Sequence, residues 1–193
     1  MLEKLKKYKV LLASKSPRRR ELMEQLRIPF STISTGGIDE KYPEDLPVRD
    51  IPQYLANLKG NAYMSRFSGN ELVITADTLV ILDDEVLGKP KDRDEAISML
   101  QKLSGRTHKV VTGVSISTVD KRTTFSVSTE VTFAELTDAD IEYYVDNYLP
   151  FDKAGAYGIQ EWIGCVAVES IKGSYYNVMG LPVQRLYSEL KAF

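Results

Sequence analysis

Asp77 has the setting that most needs a chemical explanation. It lies within Leu72–Leu82, LVITADTLVIL, a segment that is β-branched and apolar on both sides of Ala76-Asp77-Thr78. An ionised carboxylate buried in such a strand is costly unless a cation, a metal or hydrogen-bond donors offset its charge. Two readings stand at this point: a carboxylate with a functional partner, or a polar side chain on an exposed edge or a bulge. The run Ser14-Lys15-Ser16-Pro17-Arg18-Arg19-Arg20 is a second candidate. Hydroxyls and backbone N–H groups at a helix N-terminus hold phosphate, and arginines add bidentate contacts. A capped helix with a solvated basic face uses the same residues. Lys89, between Gly88 and Pro90, reads as a phosphate-binding lysine or as a surface lysine in a turn. Asp39 and Glu40 are either divalent-cation ligands or solvating groups of a loop.

Counting narrows the chemistry further. The chain has one histidine, His108, and one cysteine, Cys165, so no disulfide framework, CxxC pair or Cys/His zinc site is built within it. His108 has no acidic or nucleophilic neighbour in sequence and reads as structural. Cys165, among Ile163, Val166 and Val168, reads as a small buried apolar residue. Carboxylates, lysines, arginines and hydroxyls must therefore carry any catalysis. A net charge of -2 argues against a nucleic acid polymer or an anionic membrane as the main partner. No uninterrupted apolar run exceeds four residues, and Val10–Ala13 is too short for a signal-peptide core. The expectation is a cytoplasmic protein with one domain over residues 1–193, its core drawn from the 43% of apolar residues.

The elements that must position these groups follow from periodicity. Tyr8–Ala13 reads as a short buried strand running into a helix capped by Ser16, with Pro17 at its first position. Phe30–Thr35 reads as a second strand, followed by a Gly-rich acidic turn and a Pro-containing loop. Asp50 caps a helix whose Ile51, Leu55, Leu58 and Ala62 form one stripe. At about 100° per residue, Lys59 falls roughly 70° from the centre of that stripe, where its stem lies on the core and its amine reaches a cleft. After Leu72–Leu82, Asp83-Asp84-Glu85 turns the chain, and Asp92 or Asp94 caps a helix that stops at Gly105. Thr107–Val119 and Thr123–Leu136 form a hairpin about Asp120-Lys121-Arg122. Thr137 and Asp140 make a capping box, and Ile141, Tyr144, Val145 and Tyr148 form the inward face behind it. Gly155–Val168 and Tyr175–Met179 read as strands around a turn at Lys172-Gly173, and Pro182 opens a last helix. The sum is α/β with a mixed sheet, too irregular in its alternation for a doubly wound fold.

In order along the chain, eight blocks resemble the Maf family of nucleotide pyrophosphatases. They are ASKSPRR at 13–19, Asp39-Glu40, Leu55-Ala56 with Lys59, ADT at 76–78, GKP at 88–90, KLSGRTHKVVTGV at 102–114, FDKAGAYGIQ at 151–160 and GSYYNVMGLP at 173–182. The resemblance implies an inosine triphosphate pyrophosphatase-like fold, an elongated mixed sheet with flanking helices and a cleft between two lobes. It also implies hydrolysis of a nucleoside triphosphate to the monophosphate and pyrophosphate with Mg2+ or Mn2+. By the same resemblance Asp77 is the general base or a metal ligand orienting the attacking water, and Glu40 helps to hold the metal. Ser14, Arg18, Lys59 and Lys89 surround the triphosphate, and Arg18, Thr78 and Gln160 set base choice. DKAGAYGIQ followed by GSYxxVxGLP is similar to the branch acting on dTTP and UTP, whose shared O4 and N3–H edge suits a glutamine amide. The alternatives are 7-methyl-GTP as substrate, or a non-catalytic nucleotide-binding regulator of septum formation. A homodimer is a further family expectation. Lys15 and Gly60 depart from the family's commonest residues at these positions, a small residue and alanine.

Overall fold

The computed structural model describes residues 3–34, 37–64, 66–67 and 69–193. Its regular elements, in chain order, are β1 (Lys9–Ala13), α1 (Pro17–Gln25), β2 (Ser31–Ile33), α2 (Ile51–Met64), β3 (Glu71–Leu82), β4 (Glu85–Leu87) and α3 (Arg93–Leu103). They continue with β5 (Thr107–Ser117), β6 (Arg122–Phe133), α4 (Asp138–Tyr148), α5 (Trp162–Val166), β7 (Val168–Lys172), α6 (Tyr175–Met179) and α7 (Val183–Ala192). Thr35, the expected end of the second strand, and Gly36 lie outside the described residues.

The seven strands form one mixed sheet in the order β2-β1-β3-β5-β6-β7, with β4 paired to β3. β1 runs parallel to both neighbours, with Leu11 opposite Ser31 on β2 and opposite Val73 on β3. Parallel pairing requires crossovers, which α1 and α2 supply. β4 and β7 are antiparallel to β3 and β6. The mixed α/β architecture expected from the sequence is therefore present.

Two compact units make up the chain: Met1–Asp77 with Thr112–Val127 and Gly180–Phe193, and Thr78–Val111 with Ser128–Met179. In the first, Leu11, Ala13, Tyr63 and Val73 form a buried cluster on which Ile33, Ile38 and Phe67 pack. The N-terminal turn of α2 also rests directly on β5, because Gly113 has no side chain: a Cβ there would lie 2.2 Å from the Gln53 backbone nitrogen. In the second unit α3 packs on α4. His108, Phe133 and Tyr157 form an edge-to-face aromatic triangle with centroids 5.0–5.4 Å apart.

Three of the four capping signals are reproduced. Ser16 accepts from Arg19 N–H, Asp92 accepts from Glu95 N–H, and Thr137 with Asp140 closes a full capping box. Other expectations fail for local reasons. Asp50 caps nothing, since a 3-10 turn over Val48–Asp50 leads into α2. Gly155–Val168 is a chain of tight turns and the short helix α5, with strand structure beginning only at Val168. The break is steric: Gly155 and Ala156 have φ of 68° and 57°, and Gly164 admits the Ile159 carbonyl where a Cβ would be 1.8 Å away. Tyr175–Met179 is helical because Ser174 accepts from Asn177 N–H through its hydroxyl and from Val178 N–H through its carbonyl. Tyr148 lies on the exposed side of α4, and Cys165 is exposed rather than buried.

Candidate functional site

Helix α2 and strand β3 create the central arrangement. Thr75 Oγ1 donates to the Ala56 carbonyl at 2.6 Å, fastening the helix to one face of the strand. Side chains two apart on a strand share a face, so Asp77 lies on the face that Thr75 fixes. Lys59, one helical turn beyond Ala56, meets it there: Nζ lies 2.6 Å from Asp77 Oδ1. The same Nζ is 3.0 Å from Glu40 Oε2. Lys59 and Asp77 are buried, while the Glu40 side chain is half-exposed. The buried carboxylate thus has its compensating charge, and its partner is the lysine expected at the border of the helix stripe.

Glu40 is brought in by its own segment. Gly37 adopts a φ of 80°, and Ile38 packs on the Leu11–Tyr63 cluster. Tyr63 on α2 donates to the Ser34 carbonyl at the end of β2, and burial raises its phenol above the usual range. Asp39 turns outward and pairs with Lys41 at 2.8 Å, with both side chains mostly exposed. Of the two adjacent carboxylates only Glu40 reaches the site.

Ser14 and Arg18 flank the turn between β1 and α1. Ser14 Oγ accepts from Ser16 N–H at 3.1 Å, shaping the turn before the helix cap. Sequence reasoning did not single out Arg19, whose guanidinium donates to the Ala76 carbonyl at 2.9 Å and to the Gly180 carbonyl at 2.8 Å. It therefore grips the backbone beside Asp77. Burial lowers its pKa below the ordinary arginine value, and Arg18 adds to that shift, while the negative charges of Asp77 and Glu40 oppose it. No periodicity marks such a role, because the partners are backbone carbonyls remote in sequence. Five expected residues, Ser14, Arg18, Glu40, Lys59 and Asp77, belong to the first unit, and the geometry joins the last three directly.

Thr78, Lys89 and Gln160 belong to the second unit. Thr78 follows Asp77 on β3 and is half-buried. Lys89 is exposed in the segment after β4 and makes no ion pair among the described residues. Gln160 is exposed at the centre of a turn from Gly158 to Glu161. His108, in the same unit, is buried with Nε2 2.8 Å from the Tyr157 hydroxyl.

As donors, Asp77 and Glu40 fit a hard divalent cation. Mg2+ is commonly bound through one or two carboxylates, with substrate phosphates and water completing its shell. Here both carboxylates already converge on a single cationic atom, Lys59 Nζ. No cluster of three or more His, Cys, Asp or Glu suited to a metal occurs among the described residues. Two carboxylates and an adjacent ammonium suit an anionic substrate that brings oxygen ligands of its own.

The chain is similar to known proteins over nearly its whole length. The family model of the Maf-like proteins matches residues 9–193. A Phocaeicola vulgatus protein described as a dTTP/UTP pyrophosphatase is 56% identical over 191 residues, covering 99% of both chains. Proteins of the same description from Parabacteroides distasonis and Porphyromonas gingivalis are 55% and 54% identical, covering all of this chain and 100% and 98% of theirs. Among solved structures, the Staphylococcus aureus Ham1 protein aligns with a TM-score of 0.50 at 16% identity, over 66% of this chain and 72% of its own. At that identity the likeness is one of fold.

Proposed function

Since the chain belongs to the Maf-like family, we propose that it is a nucleoside triphosphate pyrophosphatase that hydrolyses dTTP and UTP to the monophosphate and pyrophosphate. The observation that carries this reading is identity above one half, over essentially the full length, to relatives described as dTTP/UTP pyrophosphatases. The convergence of Asp77, Lys59 and Glu40 supports a hydrolytic reading, because it places two carboxylates beside one amine at a single point.

In the proposed mechanism Asp77 orients the attacking water and accepts its proton as the bond to the α-phosphorus breaks. Lys59 holds that carboxylate in place, and it offsets charge on the phosphates as they arrive. Ser14 and Arg18 at the start of α1, and Lys89 after β4, bind the triphosphate oxygens. Glu40 and Asp77 are the residues that would hold Mg2+ or Mn2+, and a bound cation supplies Lewis-acid stabilisation of the phosphoryl charge. Arg18, Thr78 and Gln160 select the base, with the Gln160 amide offering a donor and an acceptor to the edge that thymine and uracil share. The reading treats residues 1–193 as one working domain, cytoplasmic and homodimeric. No helix among the described residues is long and apolar enough to cross a membrane.

The test is a substrate panel of dTTP, UTP, CTP, ATP, GTP and 7-methyl-GTP with Mg2+ or Mn2+, resolved by product. Release of pyrophosphate from dTTP and UTP in preference to the rest is the expected result. Orthophosphate as the product, or turnover confined to 7-methyl-GTP, overturns it. Asp77→Asn keeps the shape of the side chain but removes its basicity, and it should lower kcat by about 10²-fold or more.

A further inference from the structure

The turn that carries Gln160 is fastened from behind by one buried hydroxyl. Glu161 N–H donates to the Gly158 carbonyl at 2.9 Å and closes the turn. Ile159 is buried at one of its central positions and Gln160 is exposed at the other. Tyr144 reaches the turn from α4, with its side chain fully buried. Its Oη accepts from Gly158 N–H at 2.9 Å and donates to Glu161 Oε2. Both ends of the turn are therefore held at a single atom. The other carboxylate oxygen of Glu161 lies 3.1 Å from Lys153 Nζ, and that ammonium also bonds Asp152 at 2.8 Å. The turn is closed tightly enough that a Cβ on Gly158 would lie 2.9 Å from Gln160 Nε2.

A surface glutamine on an unbraced turn spreads over many rotamers and turn conformations. Reading a base edge requires donor and acceptor to be held within about 0.5 Å of their productive positions, by groups whose own positions are locked. The Tyr144 hydroxyl and the Lys153–Glu161 pair form such a support. We propose that Tyr144, backed by the Lys153–Glu161 pair, is a positioning residue that sets base selectivity by fixing the turn beneath Gln160. The inference rests on the assignment of Gln160 to base recognition given above.

Tyr144→Phe keeps the ring and removes the hydroxyl's bonds to Gly158 and Glu161. In the purified variant KM for dTTP and UTP should rise about tenfold with kcat within about threefold of the parent, and preference over CTP should fall as it does in Gln160→Ala. The double variant Tyr144→Phe/Gln160→Ala should be no less selective than Gln160→Ala alone, since both changes act through one side chain. Amide hydrogen exchange supplies a readout without substrate: exchange at Gly158 and Glu161 should quicken by at least about tenfold. Glu161→Gln, which retains an acceptor for Tyr144 but loses the charge facing Lys153, should show the same pattern more weakly and serves if Tyr144→Phe folds poorly. Selectivity lost in Gln160→Ala but kept in both support variants overturns the positioning role. Selectivity kept in Gln160→Ala overturns the base-reading assignment itself, and unchanged exchange in the support variants shows that the turn needs no such fastening.

Discussion

Lys59 has two acidic partners where one would neutralise it. Its bond to Asp77 is buried, and its bond to Glu40 reaches toward solvent. Lys59→Met retains the stem but removes the ammonium bonded to Asp77, leaving the buried carboxylate only the neighbouring Arg19 charge, a change that typically costs about 3 kcal/mol, while the exposed Glu40 contact adds little. Urea unfolding of the variant without divalent metal should show that loss. Adding millimolar Mn2+ should then raise Tm by roughly 2 °C more in the variant than in the parent, because the two carboxylates no longer share a built-in ammonium. An equal rise in both proteins would mean that they do not hold the metal. The need of Asp77 for a partner was legible in the strand pattern, and the position of Lys59 followed from helix periodicity. The pairing between them was not legible, because it depends on which face of β3 receives α2, a choice fixed by the Thr75 to Ala56 bond. Arg19 was hidden for a related reason: its partners are the carbonyls of Ala76 and Gly180, and a carbonyl leaves no mark on residue type.

Elements were legible where local chemistry decides them and obscure where packing does. Ser16, Asp92, Thr137 and Asp140 announce helix starts by side-chain bonds within a few residues, and all of them function as caps in the structure. Residues 155–167 misled because their apolar residues follow no helical stripe, and the close approaches that break the strand involve distant Val80 and local Ile159. Two glycines show how differently packing weighs on one residue type. Gly113 faces the backbone of Pro52 and Gln53, with 2.2–2.4 Å available to a Cβ, so Gly113→Ala must push α2 off the sheet. It should destabilise by about 3 kcal/mol or more and reduce activity through the displaced Lys59. Gly60, on α2, would bring a Cβ to 3.3 Å from Ser115 Oγ and 3.4 Å from Ser117 Oγ, side-chain atoms rather than backbone. Gly60→Ala should stabilise by about 0.5 kcal/mol, as helix propensity outweighs the tight contact. Chemical denaturation of the two variants decides both expectations, and a stable Gly113→Ala would show that α2 is not seated as described.

At the scale of the whole molecule the single histidine gives a clean handle on stability. His108 is 2% exposed, shares a hydrogen bond with Tyr157, and has its pKa lowered to about 4 by burial. The unfolded chain takes up the proton near the ordinary histidine value of about 6.5, whereas the native protein resists it until about pH 4. Between these values the unfolded state binds more protons, so stability is fully present above about pH 6.5 and is lost as pH falls toward 4. At 1.36 kcal/mol for each unit, the drop from pH 7 to pH 5 is about 2 kcal/mol. Ordinary carboxylates titrate mostly below this window, and with no second histidine the slope belongs largely to one side chain. His108→Gln replaces the ring with an amide that does not titrate and still reaches toward the Tyr157 hydroxyl. It should be less stable than the parent at pH 7, because the aromatic triangle is opened, yet nearly flat between pH 7 and pH 5. Urea midpoints at the two pH values measure this directly, and a parental slope retained in His108→Gln would place the acid sensitivity elsewhere in the molecule.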